Sequence, residues 1–251
     1  IISLTYSIMK TTCSVEKLKN AVTLADRMTG KNLTLPILHS ILLIVSGKSI
    51  KIRSTNLTVG IEIEIPAQVE TEGVVVIKGD VLANVCANLP TTSDVTLTLE
   101  HDNLTITAHK ITTIIKSLPP EEFPALPTVE GESFTIQSNI LQEGIKSVSF
   151  AAATSEIKPE IASIYLYSEE GVLYIVATDS FRLAEKKITI KNIPDISKIL
   201  IPFKNIQDLS RVLEVCGEQV HITYSRNQIS CTGNGIYFTS RLIFDKSWAS
   251  Q

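Results

Sequence analysis

The sequence is short of the residues that staple a small fold or build a metal site. Its four cysteines, Cys13, Cys86, Cys216 and Cys231, are scattered over 251 residues with no C-x-x-C spacing and no histidine at a zinc-ligand interval. That argues against a disulfide framework and a zinc module, and the four read as reduced, buried thiols of a cytoplasmic protein. Surplus charge is also missing: 23 basic and 26 acidic residues give a formal net charge of −3, so the overall balance announces no nucleic-acid partner. Any contact with phosphates has to come from local placement of Lys and Arg. No apolar run approaches the ~20 residues that span a bilayer. Ile1 to Ile8 is too short for a secretion signal and lacks a basic lead-in, and Met9-Lys10 reads as a start, so residues 1–8 are expected to be an upstream extension. The Asn-x-Thr triplets at Asn32, Asn56 and Asn103 carry no weight without secretion.

Signatures of catalysis are lacking too. Gly47-Lys48-Ser49 resembles the end of a phosphate-binding loop, but Leu42 stands where the first glycine is needed and a strand, not a helix, is expected to follow. There is no G-x-S-x-G elbow, H-E-x-x-H helix or G-x-G-x-x-G turn. His39, His101, His109 and His221 are isolated in sequence from any plausible nucleophile, which leaves only a triad assembled at long range, and Glu121 and Glu122 sit in a solvated, proline-rich stretch. The expectation is a protein without catalytic residues, cofactor or metal.

What the chain does have is 44% hydrophobic residues, enough for two cores, arranged in two periods. Short runs alternate apolar and polar positions, as in Ile50 to Arg53, Ile61 to Ile65, Val95 to Leu99, Ile164 to Tyr167 and Val172 to Val176, which predicts half-buried antiparallel strands. Four segments have helical spacing instead: Val15, Leu18, Val22 and Ala25 behind a capping Ser14; Val81, Leu82, Val85 and Leu89; Ile140, Leu141, Ile145 and Val148; and Phe203, Ile206, Leu209, Leu213 and Cys216, ending at Gly217. The second pair of segments repeats the first at a fixed offset. Ser14 and Ser138, Ile77 and Ile201, Asn103 and Asn227, and Leu118 and Leu242 each lie 124 positions apart, and Thr55 and Thr178 lie 123 apart. Five matches in order predict a duplicated α+β fold, each copy having two helices packed on antiparallel sheets. The prolines of Leu118 to Pro127 cannot join a central sheet, so the copies are placed at 9–127 and 128–251.

One segment carries a resemblance. Ala177-Thr178-Asp179-Ser180-Phe181-Arg182-Leu183 looks like the Ala-Thr-Asp-x-x-Arg-Leu signature of the middle domain of bacterial DNA sliding clamps, the β subunits of DNA polymerase III. Thr34-Leu35-Pro36-Ile37-Leu38, Leu118-Pro119 with Glu122-Phe123-Pro124, and Phe238-Thr239-Ser240-Arg241-Leu242 agree with the same family, in order, over nearly all of residues 9–243.

The resemblance implies tandem DNA-clamp domains, three per chain and two chains per ring, with helices lining a hole around double-stranded DNA. It implies a non-catalytic processivity factor for the replicative polymerase, and self-association into that ring. Such a ring grips by topology and needs only diffuse attraction to phosphates. The basic residues it suggests for DNA contact are Lys31, after the first helix, and Arg27, Lys146, Lys158 and Lys204 on or beside helices. DNA polymerase III and the clamp loader would dock through short apolar peptides at Thr178, Ser180, Phe181, Arg182 and Leu183. Here Ser180 and Phe181 replace a common Gly-His. The dimer contact would use the edge strand His109 to Ser117, with Ile111, Thr113 and Ile115 at the interface. After Leu242 the family's Gly-x-Phe-Pro-Asp-Tyr-like lead is replaced by Ile243 to Gln251, so a truncated chain lacking the third domain is expected. Two rival readings stand beside this one: a natural two-domain clamp closing as a trimer, which needs self-complementary end strands, and a small-molecule enzyme on the same scaffold, which needs a deep pocket with clustered titratable groups.

Overall fold

Alternation of inward and outward side chains dominates the chain, and every such run is realised as an antiparallel strand. The computed structural model describes residues 8–30, 35–155, 157–191, 193–196 and 198–243, and it divides into two units, Ile1–Leu126 and Pro127–Gln251. Lys31, Thr34 and the readings placed on residues 1–7 and 244–251 fall outside the described residues.

The first unit runs β1 (Met9–Ser14), α1 (Val15–Arg27), β2 (Ser40–Ser46), β3 (Ser49–Thr55), β4 (Val59–Pro66), β5 (Gln68–Thr71), β6 (Gly73–Lys78), α2 (Gly79–Ala87), β7 (Asp94–Glu100), β8 (Asn103–Ala108) and β9 (Ile111–Lys116). Its strands pair in the orders β5-β1-β7-β8-β9 and β6-β2-β3-β4. The second unit runs β10 (Glu132–Gln137), α3 (Ser138–Val148), β11 (Ser163–Glu169), β12 (Val172–Thr178), β13 (Leu183–Thr189), β14 (Ile199–Pro202), α4 (Phe203–Leu213), β15 (Gln219–Tyr224), β16 (Gln228–Gly233) and β17 (Ile236–Arg241). Its orders are β10-β15-β16-β17 and β14-β11-β12-β13. Apart from β5, the two units are one topology twice, down to the closing contact: Leu118 N donates to Val76 O, and Ile243 N donates to Leu200 O.

In each unit the two helices pack against each other and on the sheets. α1 starts because the Ser14 hydroxyl accepts from Lys17 N at 3.5 Å. It buries Val15, Leu18, Ala21, Val22 and Ala25 on one face. Each such Leu or Val contributes ~1.5–3 kcal/mol on leaving water, so this stripe, not helix propensity, holds α1 in place. α2 departs from the sequence reading in one detail. Val81 faces solvent and Cys86 takes its place inside, since Leu82, Cys86 and Leu89 alone follow the i, i+4, i+7 spacing of the buried face. Ser138, the counterpart of Ser14 in the repeat, is itself the first helical residue, and its hydroxyl donates to Gly217 O at 2.5 Å. Gly144 is required by close approach, because a Cβ there would lie 2.5 Å from Ile175 Cδ1 and 3.0 Å from Ile188 Cδ1. Without a side chain at that point, α3 settles directly onto β12 and β13.

Candidate functional site

The helical surfaces of both units are polar and electrically balanced. On the first, exposed Lys17 and Arg27 are offset by Glu16 and Asp80. Asp26 sits beside Arg27 with its carboxyl pushed up by burial and then by Asp80, with Arg27 pulling the other way. On the second, Lys146 of α3 reaches Glu214 at 3.2 Å and Arg211 of α4 reaches Asp208 at 3.1 Å. The Lys146 hydrogen bond, with a second from Gln142 Nε2, holds the Glu214 carboxyl below its usual range. Lys204 is the second residue of α4 and is exposed; Lys158 is exposed in a turn and belongs to no helix. Arg27, Lys158 and Lys204 form no ion pair with another described residue, whereas Lys146 is paired with Glu214, a neighbour that sequence spacing could not reveal.

The signature segment is the tip of the β12–β13 hairpin, built by one carboxylate. Asp179 Oδ1 accepts from Phe181 N and Arg182 N, both at 3.0 Å, and its Oδ2 accepts from Arg182 Nε at 3.0 Å. Those bonds, the Phe181 amide foremost, hold the Asp179 carboxyl below its ordinary value. Thr178 Oγ1 donates to Arg182 O at 2.7 Å and closes the turn. Ser180 occupies the left-handed region at φ 76°, a conformation that favours glycine. The tip therefore pushes Phe181 wholly into solvent, 98% exposed, with Leu183 68% exposed beside it. Arg182 is not a loose surface cation: it is ion-paired to Asp179 and lies 5.8 Å from the centre of the Phe150 ring. Phe150, itself 63% exposed, was absent from the sequence reading, which had no signal linking the end of α3 to this hairpin.

Strand β9 ends its sheet, so its outer edge has no strand partner among the described residues. Its side chains alternate. Ile111 and Thr113 line a cavity of about 260 Å³ with Asn84, Val85, Asn88 and Leu89. Ile115, expected at an interface, is buried against its own unit, because residues two apart share a face and the inner end of that face reaches the core. The outward apolar residue is Ile114. No group of three or more His, Cys, Asp or Glu among the described residues is placed to hold a metal ion.

Comparison with known proteins accounts for this arrangement. Residues 9–127 match the model of the DNA polymerase III beta subunit, N-terminal domain, and residues 135–246 that of the beta subunit, central domain. The chain is 27% identical over 235 residues to the beta sliding clamp of Halalkalibacterium halodurans, covering 88% of this chain and 61% of that protein. It is 30% identical over 225 residues to the beta sliding clamp of Buchnera aphidicola from Acyrthosiphon pisum, covering 87% and 60%. The crystal structure of the Bacillus subtilis DNA polymerase sliding clamp superposes with a TM-score of 0.89 at 26% identity, over 96% of this chain and 66% of that one. The DNA polymerase III beta subunit of Thermotoga maritima gives 0.86 at 26%, over 96% and 67%. The chain thus spans about 60% of the length of these curated relatives. It belongs to the DNA polymerase III beta-subunit family, of which it carries the N-terminal and central domains.

Proposed function

We propose that this chain forms part of a sliding clamp, a ring that encircles duplex DNA and keeps the replicative polymerase from dissociating, with no catalysis of its own. The observation that carries the reading is the duplication of one unit, two helices on two antiparallel sheets in the same strand order, in a family whose members are beta sliding clamps. A ring built by repetition needs such a unit, and a near-neutral helical surface suits sliding, because retention by topology does not require strong phosphate binding. In this reading Arg27, Lys31, Lys158 and Lys204, with Lys146 weakened by its partner, supply a diffuse attraction to DNA. Thr178, Ser180, Phe181, Arg182 and Leu183 form one wall of a site for short apolar peptides of the polymerase and the loader. Ile111 and Thr113, with Ile114 outward, serve the contact between subunits in the cytoplasm.

The test is topological. A full-length protein containing these 251 residues, loaded onto DNA, is expected to stay on closed circles and to be lost when the circle is cut. Equal retention on circular and linear DNA would exclude encirclement. Processive synthesis that survives removal of the protein would exclude a polymerase-tethering role.

A further inference from the structure

The turn that carries the signature has a twin in the first unit. Thr55-Asn56-Leu57-Thr58-Val59 joins β3 to β4 as Thr178-Asp179-Ser180-Phe181-Arg182 joins β12 to β13, 123 positions later. The same bonds hold both. Thr55 Oγ1 donates to Val59 O at 2.8 Å and accepts from Leu57 N at 3.0 Å; Thr178 Oγ1 donates to Arg182 O at 2.7 Å and accepts from Ser180 N at 3.2 Å. Asn56 Oδ1 accepts from Thr58 N and Val59 N, both at 2.9 Å, as Asp179 Oδ1 accepts from Phe181 N and Arg182 N at 3.0 Å. Leu57 at φ 72° matches Ser180 at φ 76°. A neutral amide oxygen therefore suffices to build this turn. The second copy differs in its other carboxylate oxygen. Asp179 Oδ2 accepts from Arg182 Nε at 3.0 Å, and Arg182 stands 57% exposed where the first copy buries Val59. An asparagine in place of Asp179 would turn its NH2 toward that Nε–H, donor against donor.

We infer that Asp179, which the peptide-docking reading passes over, is a positioning residue: its second oxygen holds the Arg182 guanidinium beside the Phe150 ring, so that an apolar partner peptide meets cation, ring, Phe181 and Leu183 as one preset wall. The inference rests on that reading of Thr178 to Leu183. Its physical content is pre-organisation. Arg182 has a long side chain with many rotamers, and fixing it in advance, 5.8 Å from the centre of the Phe150 ring, spares the peptide the cost of ordering it. The carboxylate also pairs the guanidinium, which lowers the cost of bringing apolar side chains against a charge. The first unit carries the same turn with Val59 and Gly60 where the second has Arg182 and Leu183, and so presents neither the cation nor the apolar side chain beside it.

The experiment compares Asp179→Asn, Arg182→Ala, their double variant and, as the control in the first unit, Asn56→Asp. In heteronuclear spectra of the 251-residue chain, Asp179→Asn is expected to keep the Phe181 and Arg182 amides protected from exchange, while the Arg182 Nε–H moves to the position and fast exchange of a free arginine. Acid is no substitute for this variant, since a protonated carboxyl accepts more weakly than an amide oxygen. Asn56→Asp should leave the Thr58 and Val59 amides protected. In the full-length protein containing these residues, retention on closed circular DNA should not change, and the concentration giving half-maximal primer extension by DNA polymerase III should rise about two- to fivefold for Asp179→Asn. The double variant should lose no more than Arg182→Ala alone. Loss of amide protection in Asp179→Asn would make the carboxylate part of the turn's own framework and overturn the inference; so would an unmoved Nε–H, unchanged extension, or losses that add in full in the double variant. Unaltered extension with Arg182→Ala has a different meaning, for it would sink the peptide-docking reading and this inference with it.

Discussion

Gly144 offers a sharp test of how α3 is seated. Replacing glycine by alanine inside a helix gains about 1 kcal/mol of backbone propensity. Here the new methyl would meet Ile175 Cδ1 at 2.5 Å and Ile188 Cδ1 at 3.0 Å. Ile175 is fully buried, so moving its Cδ1 aside has to displace close-packed neighbours. Overpacking of this kind costs ~1–3 kcal/mol, so Gly144→Ala is expected to destabilise by about 0–2 kcal/mol net. Ile175→Val deletes the offending atom and by itself costs ~0.5–1.5 kcal/mol. In the double variant the alanine methyl refills the space that Cδ1 vacated and the propensity gain survives. It should therefore lie within ~0.5 kcal/mol of the parent and above Ile175→Val alone, a favourable coupling of about 1–2 kcal/mol. Urea melts by circular dichroism, with hydrogen exchange on α3 amides to assign the transition, measure all four corners of the cycle. Additive effects within experimental error would refute the argument that glycine is there to let the helix approach the sheet.

The hairpin tip should be acid-sensitive only late. The folded Asp179 carboxyl lies below its ordinary value, so its bonds are fully present above that value and are lost as pH falls through the depressed one; amide shifts of Phe181 and Arg182 should hold from neutral pH to about 4 and then move. Loss of order between pH 6 and 5 would contradict this. In a full-length ring, Arg27→Glu and Lys204→Glu should each lower the salt slope of DNA binding by ~0.9 per phosphate contact removed, and Lys146→Glu by less; anisotropy titrations at several salt concentrations decide, and three equal effects would count against the Lys146–Glu214 pairing. At the β9 edge, Ile111→Asp, at a position 43% exposed, should weaken subunit association in sedimentation while changing the stability of the first unit by no more than ~0.5 kcal/mol. Ile115→Asp, at a position 8% exposed, should unfold that unit. Sedimentation of the 251-residue polypeptide is expected to give a 27.5 kDa monomer, and a discrete trimer would favour the two-domain ring.

The fold was legible because its two signals are short-range. Period-two runs such as Ile50 to Arg53 and Val172 to Val176 became β3 and β12, and the stripe Val15, Leu18, Val22, Ala25 became the buried face of α1. The repeat was legible because matched residues sit at matched structural events: Ile77 and Ile201 end strands that lead into α2 and α4, and Asn103 opens β8 just as Asn227 precedes β16. The misplacements came from residues whose role is fixed by a distant partner. Ser138 is the repeat's counterpart of the capping Ser14, but Gly217 O, 79 positions away, claims its hydroxyl. Val81 and Cys86 both fit a helical stripe of nine residues, and only the packing of α2 on its neighbours decides between them.

The candidate site was less legible, for the same reason at longer range. Thr178 to Leu183 stood out as a motif, and the Asp179-centred turn is local enough to follow from it. That Arg182 leans over Phe150 is a matter of tertiary placement, and so is the capture of Lys146 by Glu214, 68 positions away. Counting Lys and Arg on predicted helices overstates their free positive charge, because carboxylates offset it from the same helix, as Asp208 does Arg211, or from a neighbouring segment, as Glu214 does Lys146. The cancellation itself bears on function. An ammonium held 3.2 Å from a carboxylate gives up part of its field to that partner, and at ~0.15 M salt whatever remains is screened within about 8 Å. Helical faces balanced in this way can follow the duplex without binding it tightly. If retention on DNA is strong, it must come from closure of the ring, and lengthening the list of phosphate contacts would slow the sliding that the proposed function requires.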